Sequence, residues 1–209
     1  VALLGVLKAG KCFVALDPTY PRGRLTTMLA DTESRLLVTD APSWSLARQL
    51  GGPGVHLLDV DALDPALASD DLALPIAPDA LAYILYTSGS TGEPKGVLIE
   101  HSSLAEYVQS FSTAFSITES DRVLGHISLS FDASVEEIYP ILARGGTLVM
   151  AQDANEFGEL LSLILEQEIT VISTTPPFVE FLNRNARRLK SVRTLISGGD
   201  RLQSASISR

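Results

Sequence analysis

Residues Leu81 to His101 read LAYILYTSGSTGEPKGVLIEH. Leu81–Tyr86 is apolar and rich in residues that favour a pleated, buried strand, and Val97–Ile99 offers a second short strand. Between them lie Thr87, Ser88, Gly89, Ser90, Thr91, Gly92, Pro94, Lys95 and Gly96. Glycines let a backbone approach a ligand and present N–H groups without a Cβ in the way. Ser and Thr hydroxyls add donors for anionic oxygens, and Lys95 adds a positive charge. Together these residues suit the cradle of a polyphosphate; the plainer alternative is a flexible hairpin loop, since Gly, Ser and Thr are ordinary loop residues. A Walker A loop is excluded by its own pattern, which needs Gly-Lys followed by Ser or Thr and then a helix. Here Lys95 is followed by Gly96 and a strand. No G-x-G-x-x-G opens a helix after the first strand, so a Rossmann fingerprint fails too.

Working outward, short β-rich runs alternate with segments of helical period. Strands are predicted at Cys12–Leu16, Leu36–Thr39, Val123–Ile127, Thr147–Met150, Val171–Ser173 and Thr194–Ile196, besides the two above. Helices are predicted at Pro21–Asp31, Ser102–Phe115, Ser134–Leu142, Glu156–Glu168 and Pro177–Leu189. Pro21 and Pro177 suit first-turn positions, where a missing N–H matters little. Gly145-Gly146 ends one helix before the next strand. Several strands are apolar throughout, as strands covered on both faces should be. The alternation predicts an α/β fold with mainly parallel sheets flanked by helices. Residues 51–79, rich in Pro, Ala, Asp and Gly, read as a surface connection with a short strand near His56–Val60.

The bulk composition narrows the function. The chain has 209 residues, 45% hydrophobic and 20% charged, with a net charge of −9 from 25 acidic and 16 basic residues. No basic stripe with interleaved aromatics exists, so nucleic acid is an unexpected partner. No apolar run approaches the roughly 20 residues of a membrane span. The lone cysteine, Cys12, cannot form an internal disulfide and reads as a small buried hydrophobe; a cytoplasmic location is expected. The chain opens at Val1 in an apolar stretch and is expected to be part of a longer protein, truncated at both ends, with Ser204–Arg209 the start of a helix.

The segment Y-T-S-G-S-T-G-x-P-K-G, Tyr86 to Gly96, resembles the phosphate-binding signature of the adenylate-forming superfamily: acyl-CoA synthetases, luciferases and nonribosomal peptide synthetase adenylation domains. The resemblance implies the large N-terminal domain of such an enzyme, with ATP and Mg2+ as cofactors. It implies catalytic roles for Thr87 and Lys95, and ATP contacts from Thr87, Ser88, Gly89, Ser90, Thr91, Gly92, Lys95 and Gly96. Gly198-Gly199-Asp200 resembles the family's "GGE" turn against the adenine, which assigns Gly199 and Asp200 to the nucleotide; a simple strand-to-helix turn is the alternative.

Other segments point to one branch. Leu7-Lys8-Ala9-Gly10, then Asp17-Pro18 and Tyr20-Pro21, resembles the "LKAG…DPxYP" signature of peptide synthetase adenylation domains and reads as structural. Phe131-Asp132-Ala133-Ser134 resembles the "FDxS" motif, in which the Asp pairs with the substrate's α-ammonium. An N-cap role for Asp132 or Ser134 is the alternative. Matching motif spacing adds Ala133, Glu136, Ser173, Ile196 and Gly198 to the acid pocket. Glu136 lies one helical turn beyond Asp132, so both carboxylates can face one cavity. Such a pair favours a dication, hence a basic amino acid such as lysine, ornithine or arginine. Alternatively Glu136 points to solvent beside Glu137. His126 reads as a packed strand histidine.

The resemblance thus implies ATP-dependent activation of an amino acid for loading onto a peptidyl carrier domain with a phosphopantetheine arm. The family's "YGPTE" segment, its ribose-binding Asp and its C-terminal lysine are not found in these residues. No metal ligand is assigned, and the isolated chain is expected to be inactive. An acyl-CoA or aryl-CoA ligase, or a non-catalytic nucleotide-binding module, are the alternatives.

Overall fold

The computed structural model describes residues 1–68, 70–88, 94–151 and 156–203. They form two compact units, Val1–Leu104 and Ala105–Arg209. The first carries helix α1 (Ala2–Lys8), strand β1 (Phe13–Val14), α2 (Arg22–Asp31), β2 (Leu36–Thr39), α3 (Trp44–Leu50), β3 (His56–Asp59), β4 (Leu81–Ser88) and β5 (Pro94–Glu100). β4 is central to a sheet of order β1-β4-β5, parallel to β1 and antiparallel to β5, while β2 and β3 form a separate parallel pair. The β4–β5 ladder is the one antiparallel pair among the described strands. A short connection with tight turn residues can only join antiparallel neighbours, and this one follows β4 directly.

Helices α1 and α3 lie outside the five helices predicted by periodicity, although α1 ends in the Leu7–Gly10 segment, which reads as a helix end. Each is seven residues long, and α3 buries only Ala47, so neither shows a periodic apolar face. The punctuation around α3 was nonetheless present: Asp40 Oδ1 accepts the Ser43 N–H at 2.9 Å before it, and Gly51 follows it. Residues 51–79 contain β3 and a 3₁₀ turn at Val60–Ala62. Cys12 is half-buried, and burial pushes its thiol pKa up, away from the reactive thiolate.

Helix α4 (His101–Ala114) leads into the second unit, which continues with β6 (Arg122–Gly125), α5 (Ala133–Ala143), β7 (Thr147–Met150), α6 (Phe157–Glu166), β8 (Val171–Thr174), α7 (Pro176–Arg184) and β9 (Thr194–Ser197). A 3₁₀ turn at Ala186–Arg188 replaces the predicted end of α7. The predicted helix at Ser204–Arg209 lies outside the described residues. The sheet is wholly parallel, in the order β7-β6-β8-β9. Alternate strand residues feed two cores. Val123 and Val171 join Phe111, Ile117 and Ile141 on one face. Leu124 and Ile172 join Leu160, Leu161, Ile164, Phe178 and Leu182 on the other.

The amino ends of three strands are tied by one buried carboxylate. Asp121, 2% exposed, precedes β6. It accepts Arg193 Nε at 2.7 Å and Arg193 Nη2 at 2.6 Å. It also accepts the Thr170 hydroxyl at 2.7 Å and the Thr118 N–H at 2.8 Å. Arg193 precedes β9 and Thr170 precedes β8. The guanidinium holds the Asp121 carboxyl well below the usual carboxylate range.

Candidate functional site

In the first unit the ladder runs further toward the glycine-rich loop than predicted. Tyr86 pairs with Gly96, Thr87 with Lys95 and Ser88 with Pro94. Thr87 and Lys95 are therefore exposed cross-strand neighbours where the loop leaves the sheet. Gly89, Ser90, Thr91 and Gly92 lie outside the described residues. Gly96 has a packing role as well: a Cβ there would stand 3.0 Å from Ile84 Cγ2 and 3.3 Å from Tyr86 Cζ. The Tyr86 ring thus lies across Gly96, and its hydroxyl donates to Asp31 Oδ2 at the end of α2. Burial and that carboxylate together raise the Tyr86 phenol pKa, so it remains a neutral donor. The strand pair, anchored on a helix, places the Thr87 hydroxyl, 3.5 Å from Lys95 O, and the Lys95 ammonium at the root of the loop. That donor set suits the oxygens of a polyphosphate.

In the second unit the strand order reverses between β6 and β8, since β7 lies to one side of β6 and β8 and β9 to the other. Crossovers leave opposite faces at such a point, beyond the carboxyl ends of the strands. The sequence-predicted acid-pocket residues belong to elements that meet there. Asp132, Ala133 and Glu136 occupy the β6–α5 connection and the first turn of α5. Ser173 is on β8, paired with Ile196 of β9, and Gly198 follows β9, its N–H donating to Thr174 O at 2.9 Å.

Asp132 stands at the N-cap position of α5 but makes no capping bond, and its residue is exposed. Ser134 does not cap either; its hydroxyl donates to Phe131 O at 2.7 Å. Glu136 does not point freely to solvent. Its Oε2 accepts the Ser173 hydroxyl at 2.7 Å and its Oε1 accepts the Tyr107 hydroxyl at 2.9 Å. Two predicted pocket residues are therefore in contact, and Tyr107 of α4 joins them. Tyr107 begins a stripe with Phe111 and Phe115 at helical spacing, which by itself reads as core. Pro140 lies inside α5 and cannot donate to the Glu136 carbonyl four residues earlier.

Glu137, next in sequence, is not a solvated neighbour but one of the most buried side chains, its Oε1 2.8 Å from His126 Nδ1. Charged residues inside the apolar stretch Ala133–Ala143 were the available signal. Gly199 adopts φ +80, a conformation that favours glycine, and turns the chain after β9. Asp200 is exposed, and its Oδ1 accepts the Arg201 N–H at 2.6 Å. Among the described residues, no group of three or more His, Cys, Asp or Glu could hold a metal ion, and no helix is long and apolar enough to cross a membrane.

This fold and these motifs define a class. The chain belongs to the AMP-binding enzyme family, whose sequence model matches residues 1–209. It is homologous to the adenylation domains of nonribosomal peptide synthetases. It is 36% identical over 202 residues to tyrocidine synthase 1 of Brevibacillus parabrevis, covering 95% of this chain and 18% of that protein. It is 39% identical over 208 residues to surfactin synthase subunit 2 of Bacillus subtilis (strain 168), covering 97% of this chain and 6% of that one. The crystal structure of the nonribosomal peptide synthetase FmoA3 in its AMPPNP-bound form superposes with a TM-score of 0.87 at 29% identity, over 98% of this chain and 22% of that chain. The chain thus spans a small part of the relatives it matches.

Proposed function

We propose that this chain is part of the large N-terminal domain of an amino-acid-adenylating, AMP-forming ligase, within a longer nonribosomal peptide synthetase. ATP supplies the phosphoryl centre: a carboxylate oxygen of the amino acid bonds to the α-phosphorus as the bond to pyrophosphate breaks, leaving an aminoacyl-adenylate for a carrier-domain thiol. Lys95 and Thr87, with Ser88 and Gly89–Gly92 and Gly96, hold the β- and γ-phosphates and stabilise the charge of the departing pyrophosphate. Gly199 and Asp200 lie against the nucleotide. No residue described here is assigned to the Mg2+ that accompanies ATP. The enzyme is placed in the cytoplasm.

Asp132 binds the substrate α-ammonium. Ala133, Ser173, Ile196 and Gly198 line the side-chain pocket, and Glu136 meets a cationic side chain, which favours lysine, ornithine or arginine. One observation carries this reading: the Glu136 carboxylate, held by Ser173 and Tyr107 at the carboxyl ends of the parallel strands. Its two acceptor oxygens are oriented by neutral hydroxyls, which leave its negative charge unmatched. A substrate cation supplies that match. Amino-acid-dependent pyrophosphate exchange by the complete synthetase tests this. Basic amino acids are expected to exchange fastest, and Glu136→Gln to raise their KM by about 10- to 100-fold, the worth of one charge-assisted hydrogen bond. Equal or faster exchange with an apolar amino acid would sink the basic-substrate reading. Loss of amino-acid activation is expected for Asp132→Ala; unchanged activity of that variant would favour an acyl-CoA ligase instead.

A further inference from the structure

The second unit contains a buried ionisable pair that the reaction just described leaves without a task. Glu137 is 1% exposed. Its Oε1 lies 2.8 Å from His126 Nδ1. Its Oε2 accepts the backbone N–H of His126 and that of Ile127, each at 3.1 Å. On the other side of the imidazole, Nε2 is 3.0 Å from the Thr174 hydroxyl, and the ring packs 5.7 Å from that of Phe178. A carboxylate is costly to bury, and a well-packed apolar group of the same volume often serves stability as well or better. Packing alone therefore gives no reason for Glu137.

The connections supply one. Glu137 is on α5, His126 follows β6, and Thr174 ends β8. The chain neighbours of the outer two, Glu136 and Ser173, are themselves hydrogen-bonded at 2.7 Å. Successive strand residues project to opposite faces, so Ser173 and Thr174 lie on the two sides of β8. Helix α5 is thus fastened to both sides of one strand end. Glu136–Ser173 makes the direct tie, and Glu137–His126–Thr174 passes over the end of β6. Each residue of an α-helix turns it by about 100°. A lock at Glu137 therefore sets the direction in which Glu136 points.

We infer that Glu137 and His126 are positioning residues for recognition of the amino-acid side chain: they fix the rotation of α5, so that Glu136 holds its place against Ser173. The inference rests on the reading of Glu136 as a substrate contact. Displacing a recognition group by about 1 Å is enough to weaken its action by up to about a hundredfold.

The test is pyrophosphate exchange by the complete synthetase, with KM measured separately for amino acid and for ATP. Glu137→Gln and His126→Phe are expected to raise the amino-acid KM by about tenfold or more and to leave the ATP KM within about twofold. His126→Gln, which keeps a donor for Glu137, is expected to recover most of that loss. Because the pair acts through Glu136, the double variant Glu136→Gln/Glu137→Gln should have an amino-acid KM within about twofold of Glu136→Gln alone. An unchanged amino-acid KM, an equal rise in the ATP KM, or multiplying effects in the double variant would overturn the inference. Should Glu137→Gln not fold, the two His126 variants decide by the same KM comparison, with His126→Phe replacing Glu137→Gln in the double variant. If the unaltered enzyme exchanges with no amino acid, the adenylation reading fails and this inference with it. If it exchanges best with a non-basic one, only the basic-substrate reading fails, and the variants are compared on that amino acid.

Discussion

The Asp121–Arg193 pair gives a quantitative test of what holds the second unit together. Asp121 is 2% exposed on its side chain and Arg193 38%. The pair is bidentate, at 2.6 and 2.7 Å, and Thr118 and Thr170 satisfy the remaining lone pairs. Removing one member of a buried pair costs about 3–5 kcal/mol, because the other charge is left uncompensated. Partial exposure of Arg193 screens the interaction, so the lower end, about 3 kcal/mol, is expected for Arg193→Met or Asp121→Asn. For a chain of this size that is a fall in melting temperature of about 6–12 °C. The double variant should lose little more than either single one, since the first change already breaks the pair. The pH dependence has a definite sign. Asp121 has a folded pKa depressed chiefly by Arg193. Its contribution is therefore fully present above the unfolded value of about 3.9 and is lost as pH falls through the folded one. The gap between the unaltered chain and Asp121→Asn should be constant from pH 5 to 8, on the order of 3 kcal/mol, and narrow below about pH 4. Thermal unfolding of the 209-residue chain followed by circular dichroism, repeated across pH, reads all of this. Additive single effects, or a gap that does not narrow in acid, would refute the reasoning.

Three further outcomes follow from the geometry of the first unit. Gly96→Ala places a methyl 3.0 Å from Ile84 Cγ2 and 3.3 Å from Tyr86 Cζ, and should destabilise the β4–β5 ladder by about 1–3 kcal/mol in chemical unfolding. Tyr86→Phe removes a phenol donor to the Asp31 carboxylate and should cost about 1.5–3 kcal/mol by the same measurement, an effect absent in an Asp31→Ala background, which has no side-chain acceptor. Lys95→Ala in the complete synthetase should slow pyrophosphate exchange by about 10²- to 10³-fold if Lys95 has the role proposed for it at the leaving group; a change under threefold would remove Lys95 from the reaction.

Much of this protein was legible in the order of its residues. The apolar run at Val171–Ser173 marked a strand because a strand buried on both faces needs no polar alternation, and Leu36–Thr39 and Thr147–Met150 marked strands by their apolar and β-branched residues although Leu36, Thr147 and Met150 are exposed. The segment from Tyr86 to Gly96 carried the family because its glycines, hydroxyls and lysine are consecutive, and a consecutive motif needs no tertiary information to be read. Short helices with little burial, α1 and α3, were not legible, since a helix that covers only Ala47 leaves no periodic trace.

The directions of side chains were decided only in three dimensions. Sequence offered Glu136 either to the acid pocket or to solvent beside Glu137. The fold turned Glu136 toward Ser173 and Tyr107, and buried Glu137 against His126. Sequence likewise gave Asp132 a choice between capping α5 and facing a substrate, and the backbone of the β6–α5 connection left its carboxylate without a capping bond. The physical reason is the same in each case. Residue type and spacing fix what chemistry a segment can offer, whereas partners on other elements, 11 to 37 residues away in the chain and brought close only when the sheet and its helices assemble, fix which group receives it.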